Sequence, residues 1–271
     1  MSKSFSDLGI NQLLQQSLAD LQISVPTDIQ KKTIPVVLNQ KEDLVALAKT
    51  GTGKTAAFGL PLLQLIDTDD TNVQVLILAP TRELGHQIHV NLMSFASHSP
   101  ALSIAAVCGG IPIKPQIERL KIATHIVVAT PGRLVDLIKR GAINKDIPKS
   151  RRTLLFTATM PGAIKQLVQN YMSKHVVQIE ADMATVGHQG IDHQYVVVEP
   201  IEKLEVLLHF LNSKEGERGI IFCKTKAAVN KLAKNLAINK FSSGALHGSL
   251  SQGIRNRIMG QAILIFWWLP I

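Results

Sequence analysis

Five apolar runs alternate with stretches of helical periodicity: Leu44-Val45-Ala46-Leu47, Val75-Leu76-Ile77-Leu78, Ile104-Ala105-Ala106-Val107, Ile126-Val127-Val128 and Leu154-Leu155-Phe156. Each is too short for a helix and too continuously apolar for a strand with one face in water. Strands buried on both faces, joined by crossover helices into a parallel sheet, meet both conditions. Ahead of them, Ile10, Leu13, Leu14, Leu18 and Leu21 recur at helical spacing, and Pro26 marks an extended or turn segment. The alternation resumes with Tyr195-Val196-Val197-Val198, Gly219-Ile220-Ile221-Phe222 and Gly244-Ala245-Leu246. Between the last two, Ala228, Val229, Leu232, Ala233 and Leu236 mark one face of a helix. The polar, glycine-bearing stretch Ala181 to Gly190 reads as a linker. The chain of 271 residues therefore predicts an α/β protein of two domains, 1–186 and 187–271.

The bulk composition removes several classes. Hydrophobic residues make up 46% and charged residues 18%, which excludes a disordered chain. Two cysteines, Cys108 and Cys223, cannot build a disulfide framework or a cysteine-based zinc site. His86 and His89 lie three apart without a third ligand nearby in sequence, so they make a poor metal motif. The start, Met1-Ser2-Lys3-Ser4-Phe5-Ser6-Asp7, turns polar at once and predicts no secretory leader. The longest apolar stretch, Ala262 to Ile271, is about half the roughly 20 residues of a membrane span. No membrane association is expected, and the default is a reduced, cytoplasmic protein. The net charge of +9 favours an anionic partner.

The chemistry begins at Ala48-Lys49-Thr50-Gly51-Thr52-Gly53-Lys54-Thr55, which leaves an apolar run and opens a helical stretch. The spacing is that of the phosphate-binding loop G-x-x-x-x-G-K-[ST], with Ala48 in the first glycine position. Gly51 and Gly53 let the backbone curl so that its N–H groups face a phosphate cluster, and the helix N-terminus adds partial positive charge. Lys54 supplies a point charge for the outer phosphates, and Thr55 a hydroxyl for Mg²⁺. The loop predicts a nucleoside triphosphate without naming the reaction.

Further segments follow in order: Pro26-Thr27-Asp28-Ile29-Gln30, Pro80-Thr81-Arg82-Glu83-Leu84, Gly109-Gly110, Thr130-Pro131-Gly132-Arg133 and Phe156-Thr157-Ala158-Thr159-Met160-Pro161. The second half adds Ile220-Ile221-Phe222-Cys223-Lys224-Thr225-Lys226 and His247-Gly248-Ser249-Leu250-Ser251-Gln252-Gly253-Ile254-Arg255. Together they resemble the bacterial DEAD-box ATP-dependent RNA helicases, from Phe5 to about Ile258. The resemblance implies two RecA-like (P-loop NTPase) parallel-sheet domains that bind ATP between them, with Mg²⁺, and RNA across both. It implies ATP hydrolysis coupled to local duplex unwinding. By resemblance Gln30 reads the adenine edge, Phe5 packs on the base, and Ala48 through Thr55 hold the phosphates. Pro80, Thr81, Arg82, Gly110, Thr130, Gly132 and Arg133 would grip one RNA strand by its backbone, a mode that reads no bases. Lys224, Thr225, Gln252 and Arg255 would do so in the second domain. Thr157-Ala158-Thr159 would couple hydrolysis to unwinding. Gly85 stands where the resemblance implies alanine, which should loosen its helix by up to about 1 kcal/mol.

Two parts of the pattern are missing. A P-loop ATPase needs a carboxylate at the end of a second apolar strand for Mg²⁺ and for the attacking water. The resemblance places an Asp-Glu-Ala-Asp segment between Arg133 and Thr157, but that interval holds no apolar run ending in acid. Asp136 lies in a helical stretch and Asp146 beside a proline turn. A strand and a helix are expected to be deleted near 147–148. From about residue 259 the chain departs from the family into the apolar tail Ile263 to Ile271, which reads as a core strand, an interaction patch or an abnormal terminus. The expectation is thus a first RecA-like domain lacking a strand, a truncated second domain, and defective hydrolysis. The rival readings are a non-enzymatic nucleotide- or RNA-binding remnant and a pseudogene product.

Overall fold

The computed structural model describes residues 3–143, 151–181, 192, 194–214, 217, 219–261 and 264–268. The expected junction near 147–148, Asp146 and most of the Ala181–Gly190 linker lie outside the described residues. The chain divides into two compact units, Met1–Ile191 and Asp192–Ile271.

Unit 1 begins with α1 (Gln12–Asp20) and α2 (Asp28–Asn39). There follow β1 (Asp43–Leu47), α3 (Lys54–Leu65), β2 (Val75–Leu78), α4 (Arg82–Phe95), β3 (Ile104–Val107) and α5 (Ile113–Leu120). It continues through β4 (Ile126–Ala129), α6 (Pro131–Lys139), β5 (Leu154–Thr157), α7 (Gly162–Tyr171) and β6 (Val176–Glu180). All five apolar runs are strands; β1 and β4 are covered on both faces as expected, whereas β2 leaves Leu76 and Leu78 exposed and β5 is half-buried. They form two parallel three-stranded sheets, ordered β5-β1-β6 and β2-β4-β3. The main core joins Leu14 and Leu18 of α1, Ile34 of α2, Leu60 and Leu63 of α3, Leu92 of α4, and Ile126 and Val128 of β4. A second cluster packs Ile29 and Val37 of α2 and Ala57 of α3 against Leu44 and Ala46 of β1 and Ile179 of β6.

The start of the β5-β1-β6 sheet is pinned by charge. Buried Asp43 accepts from the Thr153 backbone N–H at 2.7 Å and from that of Ser173 at 2.6 Å. Arg152 donates to the carbonyls of Val37 (2.8 Å) and Glu42 (2.7 Å), closing the C-terminal end of α2 against the entry to β5. Charge-assisted bonds of this kind fix register where four-residue strands supply few ladder bonds.

Unit 2 contains α8 (Lys203–Asn212), β7 (Gly219–Cys223), α9 (Lys226–Ile238), β8 (Ser243–Leu246), α10 (Gln252–Gln261) and β9 (Leu264–Trp268). Its parallel sheet is ordered β7-β9-β8. Val229 and Leu236 of α9 pack on Ile221, Cys223 and Ala245, with Leu208 and Leu211 of α8 beside them. Two expectations change here. Tyr195-Val196-Val197-Val198 forms no strand, and Tyr195 and Val197 stand almost fully exposed. An apolar run becomes a strand only where a neighbour accepts its ladder, and among the described residues none does. Conversely, Leu264–Trp268 takes the middle of the sheet, paired with Gly219–Cys223 on one side and Ser243–Leu246 on the other. Of the three readings of the tail, its backbone follows the core strand.

Candidate functional site: a phosphate-binding loop and a row of strand-end loops

In unit 1 the loops named by sequence leave the C-terminal ends of parallel strands, where open α/β sheets bind ligands. Between β1 and α3, Gly51 (φ 79°) and Gly53 (φ 86°) are in the left-handed region that only glycine adopts freely. The Thr52 hydroxyl donates to the Lys49 carbonyl at 2.8 Å and closes the loop. Lys54 Nζ folds back into it, donating to the carbonyls of Ala48 (2.8 Å) and Lys49 (2.6 Å). Burial holds its pKa below the ordinary lysine value. Among the described residues its partners are these neutral carbonyls, which leaves its charge suited to an anionic ligand. Thr55 follows in the first turn of α3.

Gln30 is tied to this loop. Its Oε1 accepts from the Thr27 N–H at 2.9 Å, capping α2, and its Nε2 donates to the Gly53 carbonyl at 3.1 Å. A Cβ at Gly53 would run into the Gln30 amide, so the glycine serves close approach as well as the turn. Phe5 is buried in the core with Leu8 and Ile10.

The second group surrounds the β2-β4-β3 sheet. Thr81 caps α4 by accepting from the Leu84 N–H at 3.2 Å. The Arg82 side chain lies over Gly109 and Gly110, in space a Cβ at either would occupy. The Gly109 N–H donates to the Thr130 hydroxyl at 3.2 Å, joining the β3 and β4 loops. Arg133 donates to the Ile111 carbonyl at 3.0 Å, while its Nη1 is buried without a partner among the described residues. Pro80 and Gly132 lie in the same loops, Gly132 in the first turn of α6. Sequence reasoning passed over Gly109 as a donor and Ile111 as the acceptor that aims Arg133. Neither residue type carries a signal, because both act through the backbone.

Thr157 ends β5 beside the phosphate loop: its carbonyl accepts from the Ala48 N–H at 3.0 Å, and its hydroxyl donates to the Thr159 carbonyl at 2.7 Å. Ala158 lies between them. In unit 2, Thr225 caps α9 by accepting from the Ala228 N–H at 3.1 Å, next to Lys224. Lys226 Nζ donates to the Ser249 hydroxyl at 2.9 Å, linking the loops after β7 and β8. Gln252 and Arg255 fall in the first turn of α10.

The loop fits a triphosphate, but the described residues do not make a Mg²⁺ site. Mg²⁺ is ordinarily held by one or two carboxylates besides phosphate oxygens. Thr55 offers a hydroxyl, and among the described residues no group of three His, Cys, Asp or Glu side chains could hold a metal.

A parallel α/β fold with a strand–phosphate loop–helix unit and ligand loops at the strand ends defines a RecA-like P-loop nucleotide-binding protein. The sequence comparisons narrow the class. The DEAD/DEAH box helicase profile matches residues 27–146, and the helicase conserved C-terminal domain matches 202–262. A probable ATP-dependent RNA helicase of Methanocaldococcus jannaschii is 36% identical over 94% of this chain and 75% of its own length. The DEAD-box ATP-dependent RNA helicase CshA of Streptococcus pneumoniae is 35% identical over 94% of this chain, which spans 53% of that relative. A crystal structure of a DEAD box protein from the hyperthermophile Methanococcus jannaschii is similar with TM-score 0.63 and 33% identity, covering 99% of this chain and 81% of that one. S. cerevisiae Dbp5 bound to RNA and ADP BeF3 shares the fold at TM-score 0.87 and 23% identity, covering 98% of this chain and 76% of that one. The chain belongs to the DEAD-box RNA helicase family.

Proposed function

We propose that this chain binds ATP at the loop from Ala48 to Thr55 and the sugar-phosphate backbone of RNA along the loops bearing Thr81, Arg82, Gly110, Thr130 and Arg133, without turning over ATP at a useful rate. The observation that carries the reading is Lys54: a partly buried ammonium that donates to two loop carbonyls at the place an anionic phosphate would take. Gln30, joined to Gly53, sits where a purine amide edge is read by a group that both donates and accepts. Hydrolysis is the weak step, because no carboxylate ends an apolar strand between Arg133 and Thr157 to hold a metal or activate water. The duplex-unwinding activity of the family is accordingly not expected of this chain, and Thr157-Ala158-Thr159 has nothing to couple.

Titration with a fluorescent ATP analogue tests the reading. Binding is expected, with Mg²⁺ improving it only slightly and Lys54→Ala weakening it by about tenfold or more, the scale of one lost charged contact. RNA-stimulated hydrolysis above background, or strongly Mg²⁺-dependent affinity, would show an acid supplied from elsewhere and overturn the deficient-hydrolysis part. RNA affinity is expected to fall steeply with salt.

A further inference from the structure

One polar side chain stands in an apolar row. On α5, Ile113, Ile117 and Leu120 pack against Val107, Val127, Ala129 and Leu137, and helical spacing puts Gln116 on the same face. Gln116 is 5% exposed. Burying an amide is costly unless its groups are bonded, and only half of this one is. Its Nε2 donates to the Cys108 carbonyl at 3.0 Å, whereas its Oε1 is buried without a partner among the described residues. A carbonyl can only accept, so the orientation of the amide is fixed. An apolar side chain of the same size would pack here without that penalty. What Gln116 adds is a grip on one peptide unit.

That unit, Cys108–Gly109, is held at both ends. A peptide is planar, so fixing the Cys108 carbonyl fixes the direction of the Gly109 N–H. This N–H donates to the Thr130 hydroxyl at 3.2 Å. Gly109 has no side chain to steady the turn, and Gly110 beside it has φ 88°, so the grip opposes a backbone that is otherwise free to tilt. Thr130 is the N-cap of α6, yet its side chain makes no capping bond, unlike Thr81 on α4 and Thr225 on α9, which accept from their own helices. Its oxygen is turned to Gly109 instead. A hydroxyl that accepts one bond still has its own proton to donate, and among the described residues that proton has no acceptor. The donors run one way, from Gln116 through the peptide to the hydroxyl, an order in which each bond polarises the next. Arg82, lying over Gly109 and Gly110, and Arg133, clasping the Ile111 carbonyl, bring positive charge to the same loop.

We propose that Gln116 is a positioning residue of the RNA-backbone site. By holding the Cys108 carbonyl it aims the Gly109 N–H at the accepting side of the Thr130 hydroxyl, and so leaves the hydroxyl proton for a phosphate oxygen. Gln116 itself touches no RNA; it acts through the peptide and through Thr130. The inference rests on the reading of Thr130 as an RNA contact.

Binding of a single-stranded oligoribonucleotide to the full chain is measured for Gln116→Met, Thr130→Val and the double variant. Gln116→Met keeps the length of the side chain and loses the donor. It should weaken RNA binding by about threefold or more, the scale of one hydrogen bond. It should also speed exchange of the Gly109 amide by about tenfold or more, with circular dichroism unchanged from the wild type. In the Thr130→Val background it should cost nothing further, because no hydroxyl remains to be aimed. Equal losses in both backgrounds would show that Gln116 only props the loop and would overturn the positioning role, as would wild-type RNA affinity in Gln116→Met. Gln116→Asn, whose amide is one methylene short of that carbonyl, should give the same pattern and takes the place of the methionine variant if the latter does not fold. If the wild type binds no RNA, the reading of Thr130 fails instead, and the Gly109 amide alone decides the positioning: wild-type exchange in Gln116→Met overturns it, and faster exchange sustains it.

Discussion

Gly85 shows how a single position can be misjudged from propensity. A glycine inside α4 should weaken the helix, yet a Cβ there would meet Cys108 Sγ at 2.7 Å, with Ala79 Cβ at 3.5 Å behind it. Helix and sheet approach closely because one residue is bare and the other bulky. Gly85→Ala is therefore expected to destabilise unit 1 by about 1–3 kcal/mol, the range for overpacking, despite alanine's better helix propensity. Combining it with Cys108→Ala should recover most of that loss in urea denaturation; additive losses would refute the packing explanation. Lys54 gives a second residue-scale expectation. Burial lowers its pKa, so between the lowered and ordinary values the unfolded chain binds more protons than the folded one. Stability of the wild type relative to Lys54→Met must then rise with pH in the alkaline range below about 10.4. Urea midpoints of the two proteins across that range check the sign, and a falling difference would contradict it. The phosphate loop was legible because its chemistry constrains residue type directly. The Gly85–Cys108 contact was not, because it joins a helix and a strand end that only the fold brings together.

Among the elements, the end of α1 carries a correctable strain. Gln22 has φ 57° and bonds back to the Ala19 carbonyl, while the Ile23 N–H reaches the Leu18 carbonyl at 2.9 Å. This is the helix-ending arrangement that ordinarily takes glycine. Gln22→Gly is expected to stabilise unit 1 by about 0.5–1 kcal/mol, the left-handed penalty outweighing glycine's extra unfolded-state entropy. A lower melting midpoint for the variant would show that the Gln22 side chain contributes more than its backbone strain costs. The strands divide into those the sequence could and could not place. Leu44–Leu47 and Ile126–Val128 are apolar because both faces are covered, so composition reveals them. Tyr195–Val198 is as β-prone as either and forms no strand, whereas Leu264–Trp268, equally apolar, is paired on both sides. What separates them is the presence of partner edges, which is a property of topology rather than of the segment.

At the scale of the whole molecule, the two units differ in how much apolar side chain their described residues bury. Unit 1 places Leu14, Leu18, Ile29, Ile34, Leu44, Leu60, Leu92, Ile126 and Leu137 almost wholly out of water. In unit 2 the described core is Val229, Leu236 and Leu246, while Ile220 and Phe222 expose one face of β7. A buried large aliphatic contributes roughly 1.5–3 kcal/mol, and backbone ordering costs about 1–2 kcal/mol per residue, so the exposure of Ile220 and Phe222 on β7 leaves unit 2 with the weaker stabilisation among the described residues. The chain should therefore not melt in one cooperative step. Unit 2 is expected to lose structure first, with amides of β7 and β8 exchanging well ahead of those in β1 and β4, and unit 1 is expected to carry a separate later transition. Exposed Tyr195, Val197, Ile220 and Phe222, together with the open edges of β5 and β2, should make the isolated chain prone to association at micromolar concentration. Calorimetry, exchange and sedimentation on one preparation test these statements jointly. A monodisperse monomer with a single sharp transition, in which β8 amides are protected as long as those of β1, would require stabilising contacts for unit 2 beyond its described core and would overturn the prediction.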